Sequence, residues 1–176
     1  TRFSHLRLLI VGTGDEEASL RRLVREQRLG DRVSFVGNQS AAAVRAFYRR
    51  ADVLVFPSIW QEPFGRVLVE AMASGLVVVG TATGGAAEIL TDGETALIFP
   101  PGNAEALADA VTRLAESEPL RARLSQAARQ RARERYGIDR MSAEIEAYLA
   151  EMALGGTDEI GGIAPTKDGA EADIPR

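Results

Sequence analysis

Short apolar runs recur along the chain, each followed by a Gly-rich break and then by a stretch whose apolar positions return every three or four residues. Leu6 to Val11 is almost continuously apolar, the mark of a strand covered on both faces, and it leads into Gly12-Thr13-Gly14. A helix follows, with Leu20, Leu23 and Val24 on one side and Gly30 ending it. Val33 to Val36 reads as the second strand and Gly37-Asn38-Gln39-Ser40 as a turn. In the next helix Val44, Phe47, Tyr48 and Ala51 recur at i, i+3, i+4 and i+7. Val53 to Phe56 is a third strand, a helix begins near Gly65, and Leu76 to Val79 is a fourth strand. Thr83-Gly84-Gly85 opens a short helix through Glu88, and Ala96 to Phe99 is one more strand. After Pro100-Pro101-Gly102, Asn103 caps a helix with the apolar stripe Leu107, Val111, Leu114 and Ala115. Another helix starts near Pro119, and Asp139 caps the last, where Met141, Ile145, Tyr148, Leu149 and Met152 share a face. Strands alternating with helices predict an α/β fold, a Rossmann-like parallel sheet flanked by helices and joined by right-handed crossovers.

Composition narrows the function classes. The 176 residues with 45% hydrophobic content suffice for one domain with a core. With no cysteine and His5 as the single histidine, thiol chemistry is excluded and a histidine-based metal site or triad is disfavoured. No run is long and apolar enough to span a bilayer and no signal-peptide pattern opens the chain, so the expectation is a cytoplasmic location. Most of the net charge of -4 falls from Gly155 onward, where Asp158, Glu159, Asp168, Glu171 and Asp173 outnumber Lys167 and Arg176. The remainder is near neutral and lacks a basic stripe with interleaved aromatics, so no nucleic-acid partner is expected. The arginine run Arg121 to Arg135 reads as a solvated helix face. Residues 1–154 are expected to form the domain. Residues 155–176, rich in Gly and acid and without periodicity, are expected to be a disordered tail.

The candidate chemistry gathers between Val53 and Gly80. A buried strand, a Gly/Pro turn at Pro63-Phe64-Gly65 and a helix start form an anion site, because the first helical N–H groups lack partners and carry the positive end of the dipole. Glu62 stays in the loop, while Glu70 lies about 7 to 8 Å along the helix. The two carboxylates therefore bracket the helix mouth at a separation suited to a nucleotide sugar rather than to a shared proton. An ionised carboxylate accepts two sugar hydroxyls, each such bond contributing about 1.5 to 3 kcal/mol. Gly12-Thr13-Gly14 after a strand invites a dinucleotide-binding reading, but Glu17 occupies the position where a small residue is needed. It is either a plain Gly turn or a phosphate or sugar contact.

Pro57-Ser58, Glu62-Pro63-Phe64-Gly65, Val69-Glu70-Ala71-Met72-Ala73, Gly75, Gly84-Gly85 and Glu88 together resemble the donor-site region of retaining glycosyltransferases of the GT-B fold, family 4. Ile10-Val11-Gly12-Thr13-Gly14, Val33-Ser34-Phe35-Val36-Gly37, Ala51-Asp52-Val53 and Asp92-Gly93-Glu94-Thr95 extend the likeness across residues 6 to 154. The resemblance implies the C-terminal, donor-binding domain of an enzyme that moves a hexose from a nucleotide diphosphate sugar to an acceptor with retention. Glu62 is then the catalytic residue, facing the hexose and diphosphate with Pro63, Phe64 and Gly65, and Val67 joins the donor contacts. Glu70 holds the ribose hydroxyls, and Gly37, Asn38 and Gln39 border the base, with Gly12 and Gly14 nearby. The family needs no metal cofactor, and no Asp-x-Asp occurs here. The implied partners are the nucleotide diphosphate sugar, an N-terminal acceptor domain and, for the parent enzyme, a membrane surface. The alternative is a non-catalytic nucleotide-sugar-binding or interaction module using the same pocket.

Three departures shape the expectations. The family's Gly-Arg and Lys-Gly phosphate clamp is absent, Lys167 being the sole lysine. Arg66, where an aliphatic residue is usual, is expected to replace part of that cation. The family's first strand, central in the order 3-2-1-4-5-6, is absent as well. Either the Leu6 and Val53 strands close on each other, or they leave sticky edges through which the chain self-associates. Without the acceptor half, the isolated chain is expected to be inactive.

Overall fold

The structure, a computed structural model, describes residues 3–155. These residues divide into two compact units, with the boundary between Tyr136 and Gly137. In the first, β1 (Leu8–Ile10), α1 (Glu17–Glu26), β2 (Val33–Phe35), α2 (Ala41–Tyr48), β3 (Val53–Phe56), α3 (Arg66–Ser74) and β4 (Val77–Gly80) follow in order. Then come α4 (Ala86–Ile89), β5 (Ala96–Ile98), α5 (Ala104–Glu116) and α6 (Glu118–Tyr136). All strand pairs are parallel: β1 with β2, and β3 with β4 with β5.

The three-stranded sheet holds the core. Every residue of β4 is buried, so the run that looked continuously apolar is covered on both faces. One face, with Val78, Ala96, Leu54, Phe56 and Ile98, packs on Leu68 and Met72 of α3, Ile89 of α4 and Ala128 and Ala132 of α6. The opposite face, with Val77, Val79, Leu97 and Phe99, packs on Ala110 and Leu114 of α5 and Leu124 of α6. A third cluster joins α2 to α3 through Tyr48, Ala71, Leu76, Val44 and Val67.

The β1–β2 pair is a separate sheet, and β1 does not pair with β3. The expected direct closure of these two strands is therefore wrong, and each keeps an open edge among the described residues. The expectation of a strand covered on both faces also fails at β1, where Leu6, Leu8, Leu9 and Val11 are all more than a third exposed. An apolar run reports what a strand could bury, and here no neighbour among the described residues supplies the cover. The helix after β1 ends at Glu26, before Gly30, because Arg28 takes the left-handed conformation at φ 54. Leu29 N bonds Val24 O at 2.9 Å and Arg28 N bonds Arg25 O at 3.0 Å, a Schellman closure built without glycine.

The arginine run on α6 does more than face water. Arg121 donates to Leu114 O, where α5 ends, and Arg129 to Ser74 O at 3.0 Å, where α3 ends. Ser125 adds a bond to Gly75 O at 2.6 Å, so α6 satisfies carbonyls that the left-handed Gly75 leaves at the α3 terminus. Arg123 reaches Gly93 O at 2.8 Å and Arg131 reaches Glu94 at 3.0 Å, tying down the loop before β5. The second unit contains α7 (Ile138–Gly155), which starts one residue before Asp139, so that residue lies in the first turn rather than at the cap. Its Met141, Ile145, Tyr148, Leu149 and Met152 form an exposed stripe. Helix α7 takes in Gly155, and the rest of the expected tail lies outside the described residues.

Candidate functional site

Two groups of loops carry the residues singled out from the sequence. The first stands at the carboxyl ends of β3 and β4. Buried Thr81, directly after β4, donates to Ser58 O at 2.6 Å and ties the start of the β3–α3 loop to the neighbouring strand. Farther along, Gly85 N donates to Glu62 O at 2.6 Å. A Cβ on Gly84 would stand 2.8 Å from Glu62 N, and one on Gly85 2.8 Å from Phe64 Cα. Only residues without side chains let the 83–85 turn lie this close, and it braces the Glu62-Pro63-Phe64 backbone. Phe64 also meets the Tyr136 ring edge to face at 5.8 Å, while the Tyr136 hydroxyl donates to Glu88 O at 3.3 Å.

Gly65 is buried and left-handed at φ 83, the position from which α3 starts. No side chain caps that end, so its leading amides stay available to an anion. Leu68, Ala71 and Met72 of α3 are fully buried, which anchors the helix, and Val67 is half-buried between α2 and the sheet.

Glu62 is half-buried, whereas the Glu70 side chain is 46% exposed and touches two partners. Its Oε2 accepts from the Tyr48 hydroxyl at 3.5 Å, and its Oε1 lies 3.4 Å from Arg66 Nε. Burial, then the Glu70 charge and the hydrogen bond, push the Tyr48 phenol up to about 12, so it is a donor at any working pH. Arg66, expected to replace part of the missing phosphate-clamp cation at the helix mouth, runs along α3 toward Glu70 with its side chain 87% exposed.

The second group sits after β1 and β2. Gly12 N donates to Gly37 O at 2.8 Å, Thr13 Oγ1 bonds Asn38 Oδ1 at 3.4 Å, and Gln39 Nε2 bonds Val36 O at 2.6 Å. Gly14 O accepts from Glu17 N at 3.1 Å as α1 begins. Gly12, Gly14, Gly37, Asn38 and Gln39 are thus gathered together. Helix α2 follows this group, with Ser40 capping its start and Tyr48, which meets Glu70, at its end.

The sequence reading missed Tyr48, Thr81 and the bracing role of Gly84-Gly85. A phenol within an otherwise apolar helical stripe, and paired glycines just after a strand, were the signals available. Among the described residues no group of three or more His, Asp or Glu could hold a metal ion. No helix there is long and apolar enough to cross a membrane.

The family described as "Glycosyl transferases group 1" matches residues 1–131. A phosphatidyl-myo-inositol mannosyltransferase of Mycobacterium leprae is 37% identical over 157 residues, covering 88% of this chain and 40% of that protein. Among solved structures, sucrose-phosphate synthase from Thermosynechococcus elongatus superposes with a TM-score of 0.73 at 34% identity, over 86% of this chain and 39% of that one. HepE from Anabaena, in complex with UDP-glucose, gives 0.76 at 26% identity, over 84% and 42%. The chain spans about 40% of the length of these proteins.

Proposed function

The chain belongs to the glycosyl transferases group 1 family and has the architecture of a GT-B glycosyltransferase domain, and from that premise we propose that it is the donor-binding half of a hexosyltransferase. The parent enzyme moves a hexose from a nucleoside diphosphate sugar to an acceptor with retention at the anomeric carbon. An N-terminal domain supplies the acceptor site, so this chain alone does not transfer sugar. Residues 1–154 form the donor domain in this reading. The parent works without a metal, in the cytoplasm and at a membrane surface.

One observation carries the reading: the uncapped start of α3 opens from left-handed Gly65 between Glu62 and Glu70, on a loop braced by Gly85. The helix amides and dipole stabilise the negative charge that develops on the diphosphate as the glycosidic bond breaks. Glu62 meets the hexose, with the backbone of Pro63, Phe64 and Gly65 beside it. Glu70 takes the ribose hydroxyls, and Gly37, Asn38 and Gln39 border the base. HepE was solved with UDP-glucose, which supports a nucleotide-sugar donor for this chain.

Calorimetry with uridine, guanosine and adenosine diphosphates and their hexose conjugates tests the first half. One base series should bind, and failure of all three ends the reading. Co-expression with the acceptor domain of the parent enzyme should then restore transfer with retained anomeric configuration, which an inert binding module would not show.

Arg66 gives a separate prediction. If it contacts the diphosphate, Arg66→Ala weakens nucleoside diphosphate binding about twofold to fivefold, the scale of one solvent-exposed charge contact of up to about 1 kcal/mol. Binding of the plain nucleoside should not change. Equal affinity of variant and parent for the diphosphate removes Arg66 from the donor site.

A further inference from the structure

The Tyr48 side chain packs among Val44, Leu54, Val67, Ala71 and Leu76, a setting in which phenylalanine would pack equally well, and only its part-buried hydroxyl distinguishes it. A buried hydroxyl without a partner destabilises, and the partner here is Glu70 Oε2 at 3.5 Å. We propose that Tyr48 is a positioning residue that holds the Glu70 carboxylate in the orientation that receives the ribose hydroxyls of the donor. The inference rests on the reading of Glu70 given above.

Glu70 needs such a partner because its side chain is 46% exposed and would otherwise sample several rotamers. Arg66 is a poor candidate for the task. It approaches Oε1 at 3.4 Å, but with its side chain 87% exposed it is screened by water and free to leave. Tyr48, only 7% exposed, has two torsions and both are fixed by packing. Occupying one lone pair of Oε2 leaves the carboxylate enough acceptor capacity for two hydroxyls. The raised phenol pKa keeps the proton on the tyrosine, so Glu70 always meets a donor.

Tyr48 also ends the helix that begins at the Gly37-Asn38-Gln39 turn. Helix α2 therefore connects the turn read as bordering the base to the carboxylate read as holding the ribose.

The test measures binding of the preferred nucleoside diphosphate and of its 2′,3′-dideoxy form, and takes the ratio of the two dissociation constants. The native chain should prefer the ribose form at least tenfold, as one charge-assisted bond requires. Glu70→Ala should bring the ratio to about one, and Tyr48→Phe should lower it about threefold to fivefold with the dideoxy affinity unchanged. Val44→Ala loosens the same cluster without touching the hydroxyl, so it should lower the melting temperature and leave the ratio alone. A native ratio in Tyr48→Phe with a collapsed ratio in Glu70→Ala overturns the inference and keeps the donor reading. An effect of Val44→Ala equal to that of Tyr48→Phe also overturns it. A native ratio in Glu70→Ala overturns the ribose role itself, and the inference with it.

Discussion

Gly85→Ala should lower the melting temperature by about 3 to 10 °C and weaken nucleoside diphosphate binding at least tenfold. Residue 85 sits at φ -60, a conformation open to alanine, so backbone strain at the residue itself is not the cause. The cause is space. The added carbon would collide with Pro63 O and stand 2.8 Å from Phe64 Cα, and backbone atoms cannot swing aside as a side-chain tip can. Relief requires the Glu62-Pro63-Phe64 segment to move, which also stretches the 2.6 Å bond from Gly85 N to Glu62 O. Overpacking of this kind costs roughly 1 to 3 kcal/mol, and a shift of about 1 Å in a binding loop can weaken function a hundredfold. Gly30→Ala is the control, because nothing lies within 4 Å of its added carbon and the change should stay within about 0.5 kcal/mol. Thermal melts and calorimetry on the two variants decide the matter. If Gly85→Ala binds nucleotide as the native chain does, the two loops do not form a braced unit.

The elements nearest the site were the most legible in the sequence, and the reason is local. β3 spans Val53–Phe56 as read, α3 starts after Gly65 as read, and Asn103 caps α5 through a 2.9 Å bond from Ala106 N. Each depends on glycine conformation, a capping side chain or a short apolar run, all encoded within a few residues. The misreadings involve partners distant in sequence. Leu8 and Leu9 look like core residues but stay 47% and 40% exposed, and the α6 arginines look like a solvated face until the ends of α3 and α5 are brought beneath them. At Arg28 the local rule itself yields, since the Schellman closure tolerates a left-handed arginine before the glycine arrives. The Glu62 and Glu70 spacing was visible in the chain. Two other contacts came only from the fold: the hydrogen bond that Tyr48 brings to Glu70 and the packing of Gly84-Gly85 against the loop.

The open strand edges lead to the second large effect: the isolated chain should self-associate. Light scattering should report masses rising above 18.9 kDa as concentration increases through about 10 μM to 1 mM, the range in which exposed strand edges find each other. Among the described residues β1 pairs on one side with β2 and β3 on one side with β4, so each offers a row of unpaired backbone groups. Leu8 is 47% and Leu9 40% exposed, and because neighbouring residues of a strand point to opposite faces, both faces of β1 are apolar and open. An edge that is apolar on both sides lacks the charge that keeps natural edges apart. Joint replacement Leu8→Lys and Leu9→Lys should therefore return the chain to a monomer at little cost in stability, since neither residue is in the core. A parallel strand supplied in trans, long enough to pair with both β1 and β3, should do the same by occupying the edges rather than repelling a neighbour. A native chain that keeps the monomer mass over the whole range shows that the edges are silent, and the account of β1 as an unfinished strand would then have to be abandoned.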